Sequence, residues 1–140
     1  MRAVLAAILV FACATDAFAG SAELARGADG HWRAEARVNG RKVDVLVDTG
    51  ATLVALTQDD ARAAGIDVRN LRYSERVRTA SGTARAATVT LERVQIGAVR
   101  VEDVEAMVIE RGLSVSLLGM SFLSRLDQFD VRGPTLRLRD

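Results

Sequence analysis

The residues that could do chemistry stand at the end of a mostly apolar stretch, residues 43–47, which Asp48, Thr49 and Gly50 follow directly. A carboxyl group beside apolar side chains costs free energy unless a partner holds it. Asp48 therefore either bonds the amides of its own turn or acts as an acid or base. A second apolar stretch, residues 53–56, follows at once. This enclosure favours a chemical role for Asp48.

Other combinations of reactive residues are missing from the sequence. His31 is the only histidine and Cys13 the only cysteine, so a Ser-His-Asp triad or a histidine-rich metal site lacks members. Ser121 lacks the closing glycine of a nucleophile elbow. The acidic pairs at 59–60 and 102–103 are predicted to be solvated turn or cap residues. We therefore expect no metal and no cofactor.

Composition limits the class of protein. A chain of 140 residues suits one domain, and its apolar fraction of 49% is enough for a core. Aromatic residues are only 4%, so Val, Leu, Ile and Ala must build that core. The 19 basic and 18 acidic residues are scattered without a basic run, which argues against nucleic acid as a partner.

The N-terminus has the pattern of a secretory signal peptide over residues 1–19. Arg2 is followed by an apolar run at 3–14 and by an A-x-A cleavage site at 17–19. The run is short of the ~20 residues that span a bilayer. A retained membrane tether and lipidation at Cys13 are the alternatives. We expect export to the periplasm, a flexible segment at 20–30 and one domain at 31–140.

Strand patterns begin at His31. Residues 32, 34, 36 and 38 alternate as one apolar face, and Asn39-Gly40 then predicts a tight hairpin turn. The next strand, residues 41–47, is apolar on both faces, which predicts a central strand covered on two sides. A short helix should follow, with Thr57 as N-cap, Asp60 reaching back as the acid of a capping box, and Gly65 at its end.

The remaining sequence is also rich in strand patterns. A long hairpin with a small-residue tip at 80–83 precedes strands at 99–101 and 104–109. A short apolar strand, Gly119 and a helix come next, and strands at 129–131 and 135–139 close the chain. No sustained period of 3.6 residues occurs. The sequence therefore predicts an all-β domain with one or two short helices.

Three stretches together resemble the retropepsin-like aspartic proteases, and among them the small bacterial group with an N-terminal export segment. They are residues 45–51 (VLVDTGA), 79–82 (TASG) and 118–123 (LGMSFL). The resemblance covers roughly residues 32–138. It implies a closed, barrel-like β-domain that forms a single D-T-G lobe.

The resemblance also implies roles for single residues. Asp48, Thr49 and Gly50 would be catalytic, with Thr49 bonding across a two-fold axis. The substrate-binding residues would be Ala51 and, at the tip of a flap over the substrate, Ala80, Ser81 and Gly82. Viral flaps carry several glycines, whereas this tip has only Gly82.

One D-T-G per chain leads to a homodimer as the active form, because this class of enzyme needs two carboxyls. The closing strands at 129–139 should help to form it. We predict a periplasmic aspartic endopeptidase that cleaves extended polypeptides with a water activated by the two Asp48 carboxyls. The alternatives are a non-catalytic peptide-binding β-domain of the envelope and a precursor that processes itself.

Overall fold

The structure is a computed structural model that describes residues 20–140. The predicted signal peptide, its cleavage and the possible membrane tether concern residues 1–19 and lie outside this part. Within residues 20–140, none of the helices has the length and apolar character needed to cross a membrane.

Strands dominate the described chain. The strands are β1 (Ser21–Ala25), β2 (Arg33–Val38), β3 (Arg41–Val47), β4 (Val54–Thr57), β5 (Glu75–Thr79), β6 (Gly82–Ile96), β7 (Val99–Ile109), β8 (Ser116–Leu118), β9 (Gln128–Arg132) and β10 (Thr135–Arg139). The α-helices are α1 (Gln58–Ala63) and α2 (Met120–Leu123), and Val68–Asn70 form a 3₁₀ turn.

Six strands close into a barrel. The larger sheet has the order β2-β3-β8-β4-β7-β6-β5, and an additional pairing of β2 with β6 closes the ring. Strand β5 lies outside this ring, at the sheet edge. A second sheet has the order β1-β10-β9. The predicted all-β, barrel-like, retropepsin-like fold with two short helices is confirmed.

The first hairpin forms as the sequence predicts. Strand β2 alternates between exposed and buried residues, with Ala34, Ala36 and Val38 inside. The turn residues Asn39 and Gly40 have φ angles of 50° and 82°. Both lie in the left-handed region that a tight hairpin turn requires.

Strand β3 differs from its prediction on one face. It is central, between β2 and β8, and Val43 and Val45 are buried. Asp44 is exposed, however, and Leu46 is only half-buried. The expectation that both faces are covered is therefore wrong, because the barrel covers one face and a cleft lies beside the other.

The chain before His31 also differs from its prediction. Ser21–Ala25 pair antiparallel with β10, and the backbone of Gly20 bonds that of Asp140. Ala22 and Leu24 pack against the core. The predicted flexible segment thus contains a five-residue strand, and the partner of that strand is remote in sequence.

Helix α1 is capped as expected except at Asp60. The Thr57 hydroxyl accepts a hydrogen bond from the Asp60 amide at 3.1 Å. At the other end, the Ile66 amide donates to the Ala61 carbonyl at 2.9 Å and Gly65 has φ +86°, which together form a Schellman cap. The Asp60 carboxylate does not reach back to Thr57. It accepts a hydrogen bond from Ser116 instead, at 2.5 Å.

Candidate active site

The Asp48 turn is held between strands that cross the barrel. Strand β8 lies parallel to β3, with Val47 opposite Leu118, and it lies antiparallel to β4 on its other side. The Asp48 amide donates to the Leu118 carbonyl at 3.1 Å. Asp48 is therefore the first residue after β3, and its backbone is fixed by the bond to the neighbouring strand β8.

Backbone amides fix the conformation of the turn itself. The Gly50 amide donates to one Asp48 carboxylate oxygen at 2.9 Å, and the Ala51 amide donates to the Asp48 carbonyl at 3.2 Å. A Cβ atom at Gly50 would lie 3.1 Å from that carboxylate oxygen. A larger residue would crowd the carboxyl group, which gives a local reason for glycine here.

Gly119 lets α2 pack directly against this turn. A Cβ atom on Gly119 would lie 2.2 Å from the carbonyl oxygen of Leu53 and 2.7 Å from that of Ala51. The next two amides then bond the turn: Met120 donates to the Ala51 carbonyl at 2.8 Å and Ser121 to the Thr52 carbonyl at 2.9 Å. The glycine seen in the sequence after Leu118 therefore serves a backbone contact.

Two serine hydroxyls support the site, and sequence analysis missed both. The Ser121 hydroxyl accepts from the Val54 amide at 2.9 Å and donates to the Glu105 carbonyl at 2.7 Å, so it joins α2 to β4 and β7. Ser116 is fully buried, accepts from the Thr57 amide at 3.1 Å and donates to Asp60. No local pattern signals either role, because all four bonding partners are remote in sequence. Three of them are backbone atoms, and the fourth is the Asp60 carboxylate.

A cleft with a volume of about 770 Å³ opens beside Asp48. It lies between the Asp48 turn, the β5–β6 hairpin and the loop at residues 113–115. Most of the lining is apolar and includes Leu46, Leu53, Val77, Met107, Ile109 and Leu117. Asp48 supplies the one carboxyl group among the described lining residues. The cleft thus combines a single acid with a largely apolar wall.

The structure brings most of the predicted site residues to this cleft. Asp48, Gly50, Ala51 and Ala80 line it, whereas Thr49 is exposed outside the lining.

Ser81 and Gly82 form the tip of the hairpin, beyond the lining residues. There the Thr79 hydroxyl accepts from the Ser81 amide and donates to the Gly82 carbonyl, at 3.2 and 2.9 Å. The catalytic and substrate-binding roles remain predictions.

The other acidic residues do not assemble into a metal centre in the part of the chain that the structure describes, where no group of three or more potential ligands occurs. Among the ion pairs of the described chain, the one between Asp29 and Arg33 has a clear effect on a carboxyl pKa. Hydrogen bonding to Arg33 lowers the pKa of Asp29 to about 2. Both side chains are about half exposed, at 46% for Asp29 and 53% for Arg33, and neither lines the cleft.

Comparison with known proteins agrees with the fold. Residues 34–125 match the family described as "gag-polyprotein putative aspartyl protease". The chain is also 39% identical to a retropepsin-like aspartic protease from Rickettsia conorii, whose crystal structure superposes with a TM-score of 0.78 over 86% of this chain and 91% of that one. The chain belongs to the retropepsin-like aspartic proteases.

More distant structures share the fold alone. The EIAV protease in complex with the inhibitor HBY-793 is 16% identical, with a TM-score of 0.54 over 66% of this chain and 84% of that one. The retroviral protease-like domain of Ddi1 from Leishmania major is 19% identical, with a TM-score of 0.54 over 72% and 80%.

Two curated relatives are longer than this chain. An uncharacterized Sinorhizobium protein, from the cobV 5' region, is 45% identical over 80% of this chain and 48% of its own length. An uncharacterized protein from Rickettsia prowazekii is 40% identical over 77% of this chain and 46% of its own length. The chain therefore spans about half the length of the curated relatives it matches.

Proposed function

We propose that this protein is an aspartic endopeptidase that cleaves extended polypeptides. The observation that carries the proposal is the position of Asp48, at the end of a barrel strand and in the wall of an apolar cleft, with one carboxylate oxygen held by the Gly50 amide. A carboxyl group that only closed its turn would not need to line a cleft of this size. Membership of the family supports the same chemistry.

The proposed mechanism uses two carboxyl groups, one water molecule and no covalent intermediate. Two carboxyls at close range share one proton, because both cannot be ionised together. The ionised carboxyl takes a proton from the water as it attacks the peptide carbonyl, and the protonated carboxyl donates to the carbonyl oxygen. The Gly50 amide orients one Asp48 oxygen by a hydrogen bond, which leaves the other free to face the water.

A second copy of the chain supplies the second carboxyl in this proposal. Asp48 is the one acid among the described residues of the cleft lining. The nearest acid on the same strand, Asp44, is exposed and lies four residues back, about 13 Å along an extended strand. It is therefore too far away to share a proton with Asp48. A symmetric homodimer brings two Asp48 residues together.

The cleft favours an extended polypeptide with apolar side chains beside the cut. Its walls are largely aliphatic, and the β5–β6 hairpin lies along one side. An extended chain can bond backbone groups along such a strand while its side chains enter apolar pockets. The place of action that we propose is the periplasm, which rests on the signal-peptide pattern of residues 1–19.

Substitution of Asp48 by Asn tests the proposal. The amide keeps the shape of the side chain but cannot exchange the proton, so release of casein fragments should fall by several orders of magnitude while the unfolding midpoint stays close to that of the wild type. Asp44→Asn is the matched control, since Asp44 is exposed on the same strand, and it should leave cleavage unchanged. If the wild-type dimer binds casein without releasing fragments, the protein is a peptide-binding domain instead.

A further inference from the structure

One face of the β5–β6 hairpin carries two arginines at directly opposed positions. Arg76 of β5 lies opposite Arg85 of β6. The Arg85 carbonyl accepts a hydrogen bond from the Glu110 amide at 2.8 Å, so the backbone of Arg85 faces the β7 side and its pair with Arg76 is a non-hydrogen-bonded one. The Cα atoms of such a pair are only about 4.5 Å apart. Two like charges are therefore held side by side, which destabilises a strand pair.

A second opposed pair of cations in the described chain shows the usual remedy. Arg37 lies opposite Lys42, and the Lys42 ammonium group is 3.1 Å from the carboxylate of Glu35. An acid on the same face thus offsets the repulsion. The side chain of Arg76, by contrast, makes no ion pair and no hydrogen bond with any residue in the range 20–140. The pair of Arg76 with Arg85 therefore keeps a positive charge that the protein itself does not neutralise.

A pocket of about 490 Å³ opens at this pair of arginines. Its lining includes both guanidinium-bearing residues, Arg76 and Arg85, together with the hydroxyl-bearing residues Ser74 and Thr83. No acid is among the described lining residues, and none of them also lines the Asp48 cleft. The pocket is thus a separate site that is rich in hydrogen-bond donors.

Arg85 is held in place from one side only. Its Nε donates to the Tyr73 carbonyl at 3.0 Å, and a carboxylate oxygen of Glu110 lies 3.8 Å from the same nitrogen. Tyr73 is itself anchored, because its hydroxyl donates to the Val68 carbonyl at 2.9 Å and accepts from the Gln58 amide group at 3.0 Å. The side chain of Arg85 remains 64% exposed, and its terminal nitrogens bond none of the described residues. The protein therefore orients this guanidinium group and leaves its outer N–H groups for a ligand.

We infer that this pocket binds the phosphate group of a small molecule or of a lipid headgroup. We call it the phosphate pocket and define it by Ser74, Arg76, Thr83 and Arg85. A phosphate group has acceptor oxygens in several directions, so it can bond two guanidinium groups and a hydroxyl at once, whereas a carboxylate has two oxygens in one plane. A bound dianion also removes the repulsion between the opposed arginines. The site does not use Asp48, and its occupancy does not depend on cleavage.

Calorimetric titration of the protein with pyrophosphate, at constant ionic strength, tests the inference. We expect saturable binding of one pyrophosphate per chain, and binding of acetate that is roughly tenfold weaker or worse. Arg76→Gln should weaken pyrophosphate binding roughly tenfold or more. Arg76→Lys, which keeps the charge but loses the planar fork, should fall between the two. Arg37→Gln, from the other opposed pair, and Asp48→Asn should bind pyrophosphate as the wild type does.

The stability of the unliganded protein separates a binding role of Arg76 from a structural one. Without ligand, Arg76→Gln should unfold at the same urea concentration as the wild type or a higher one, because the opposed like charges are gone. A residue that served the fold alone would lower this midpoint. With pyrophosphate, the midpoint of the wild type should rise and that of Arg76→Gln should change little.

Flotation with vesicles distinguishes the two sources of the phosphate group. The vesicles contain phosphatidylcholine with or without phosphatidic acid. Flotation that needs phosphatidic acid, is displaced by pyrophosphate and is lost in Arg76→Gln identifies a lipid headgroup. Pyrophosphate binding without flotation, or with flotation that Arg76→Gln leaves unchanged, assigns the pocket to a soluble phosphate compound. Absence of pyrophosphate binding, full affinity in Arg76→Gln, or equal affinity for acetate would overturn the inference.

Discussion

Gly119 shows how a single residue without a side chain can position a carboxyl group that it does not touch. Its Cα lies against the carbonyls of Leu53 and Ala51, and the amides that follow it bond the Asp48 turn. The strand before it holds the Asp48 amide through Leu118. Residues on both sides of Gly119 thus bond the Asp48 turn, and any side chain at Gly119 would push this segment away from the turn.

We expect Gly119→Ala to lower the free energy of unfolding by about 1–3 kcal/mol, the usual cost of forcing an extra methyl group into a packed site. It should also reduce casein cleavage, because the displaced backbone belongs to the Asp48 turn. Urea unfolding followed by circular dichroism measures the first effect.

Gly133→Ala is the comparison for that substitution. Gly133 has φ +58° and nothing within 4 Å of a Cβ atom, so it carries only the cost of a left-handed backbone, about 1 kcal/mol. Its cleavage rate should match the wild type. Equal stability losses and equal activity in the two variants would contradict the role assigned to Gly119.

At the scale of elements, Ser116 connects helix α1 to strand β8. Its hydroxyl donates to the Asp60 carboxylate and accepts from the Thr57 amide, and both partners belong to the start of α1. Ser116→Ala leaves a partly buried amide and a partly buried carboxylate without this partner. We expect the free energy of unfolding to fall by about 1–3 kcal/mol.

The control for Ser116→Ala is Ser124→Ala. The Ser124 hydroxyl bonds the Met120 carbonyl in an exposed setting, so its loss should change stability by no more than about 0.5 kcal/mol. Thermal and urea unfolding of both variants make the comparison. If the two serines prove equally dispensable, the link between α1 and β8 carries no stability.

Elements with local signals could be predicted from the sequence. The Asn39-Gly40 turn, the Thr57 cap and Gly65 depend on backbone preferences of a few neighbouring residues, and Asp48-Thr49-Gly50 carried the family resemblance. Elements that depend on remote partners could not be predicted. Strand β1 is short and contains only one large apolar residue, Leu24, and its pairing partner lies more than a hundred residues later. The Asp60 carboxylate likewise found Ser116 rather than its own turn.

At the scale of the whole molecule, the two ends of the described chain meet at one point. The Gly20 amide donates to the Asp140 carboxylate at 2.5 Å, and the Asp140 amide donates to the Gly20 carbonyl at 3.1 Å. Cleavage after Ala19 would turn the Gly20 amide into an ammonium group beside that carboxylate. The proposed mature end therefore fits a position where a positive charge gains a partner.

We expect the protein recovered from the periplasm to begin at Gly20. N-terminal sequencing and intact mass measure this directly, and a variant with Ala17 and Ala19 both replaced by Arg, which blocks the A-x-A site, is the control. The variant should keep its N-terminal segment and stay with the membrane. Wild-type protein found only in membranes, starting at Met1 or at an acylated Cys13, would show a tethered protein instead. A start well beyond Gly20 that reverts to Gly20 in Asp48→Asn would reveal self-processing.

The proposed chemistry requires a dimer, because it needs two carboxyl groups and each chain brings one, Asp48, to its cleft. Specific activity should therefore rise with protein concentration and level off as dimers replace monomers. Mixing wild-type chains with a ninefold excess of Asp48→Asn chains should leave roughly a tenth of the wild-type chains in fully active dimers, if the subunits pair at random. Excess Asp44→Asn chains, which keep Asp48, should not inhibit at all. Should the Asp48→Asn excess leave wild-type activity intact, and activity per chain stay flat on dilution into the monomer range, a single chain would hold the whole site and the dimer mechanism would be wrong.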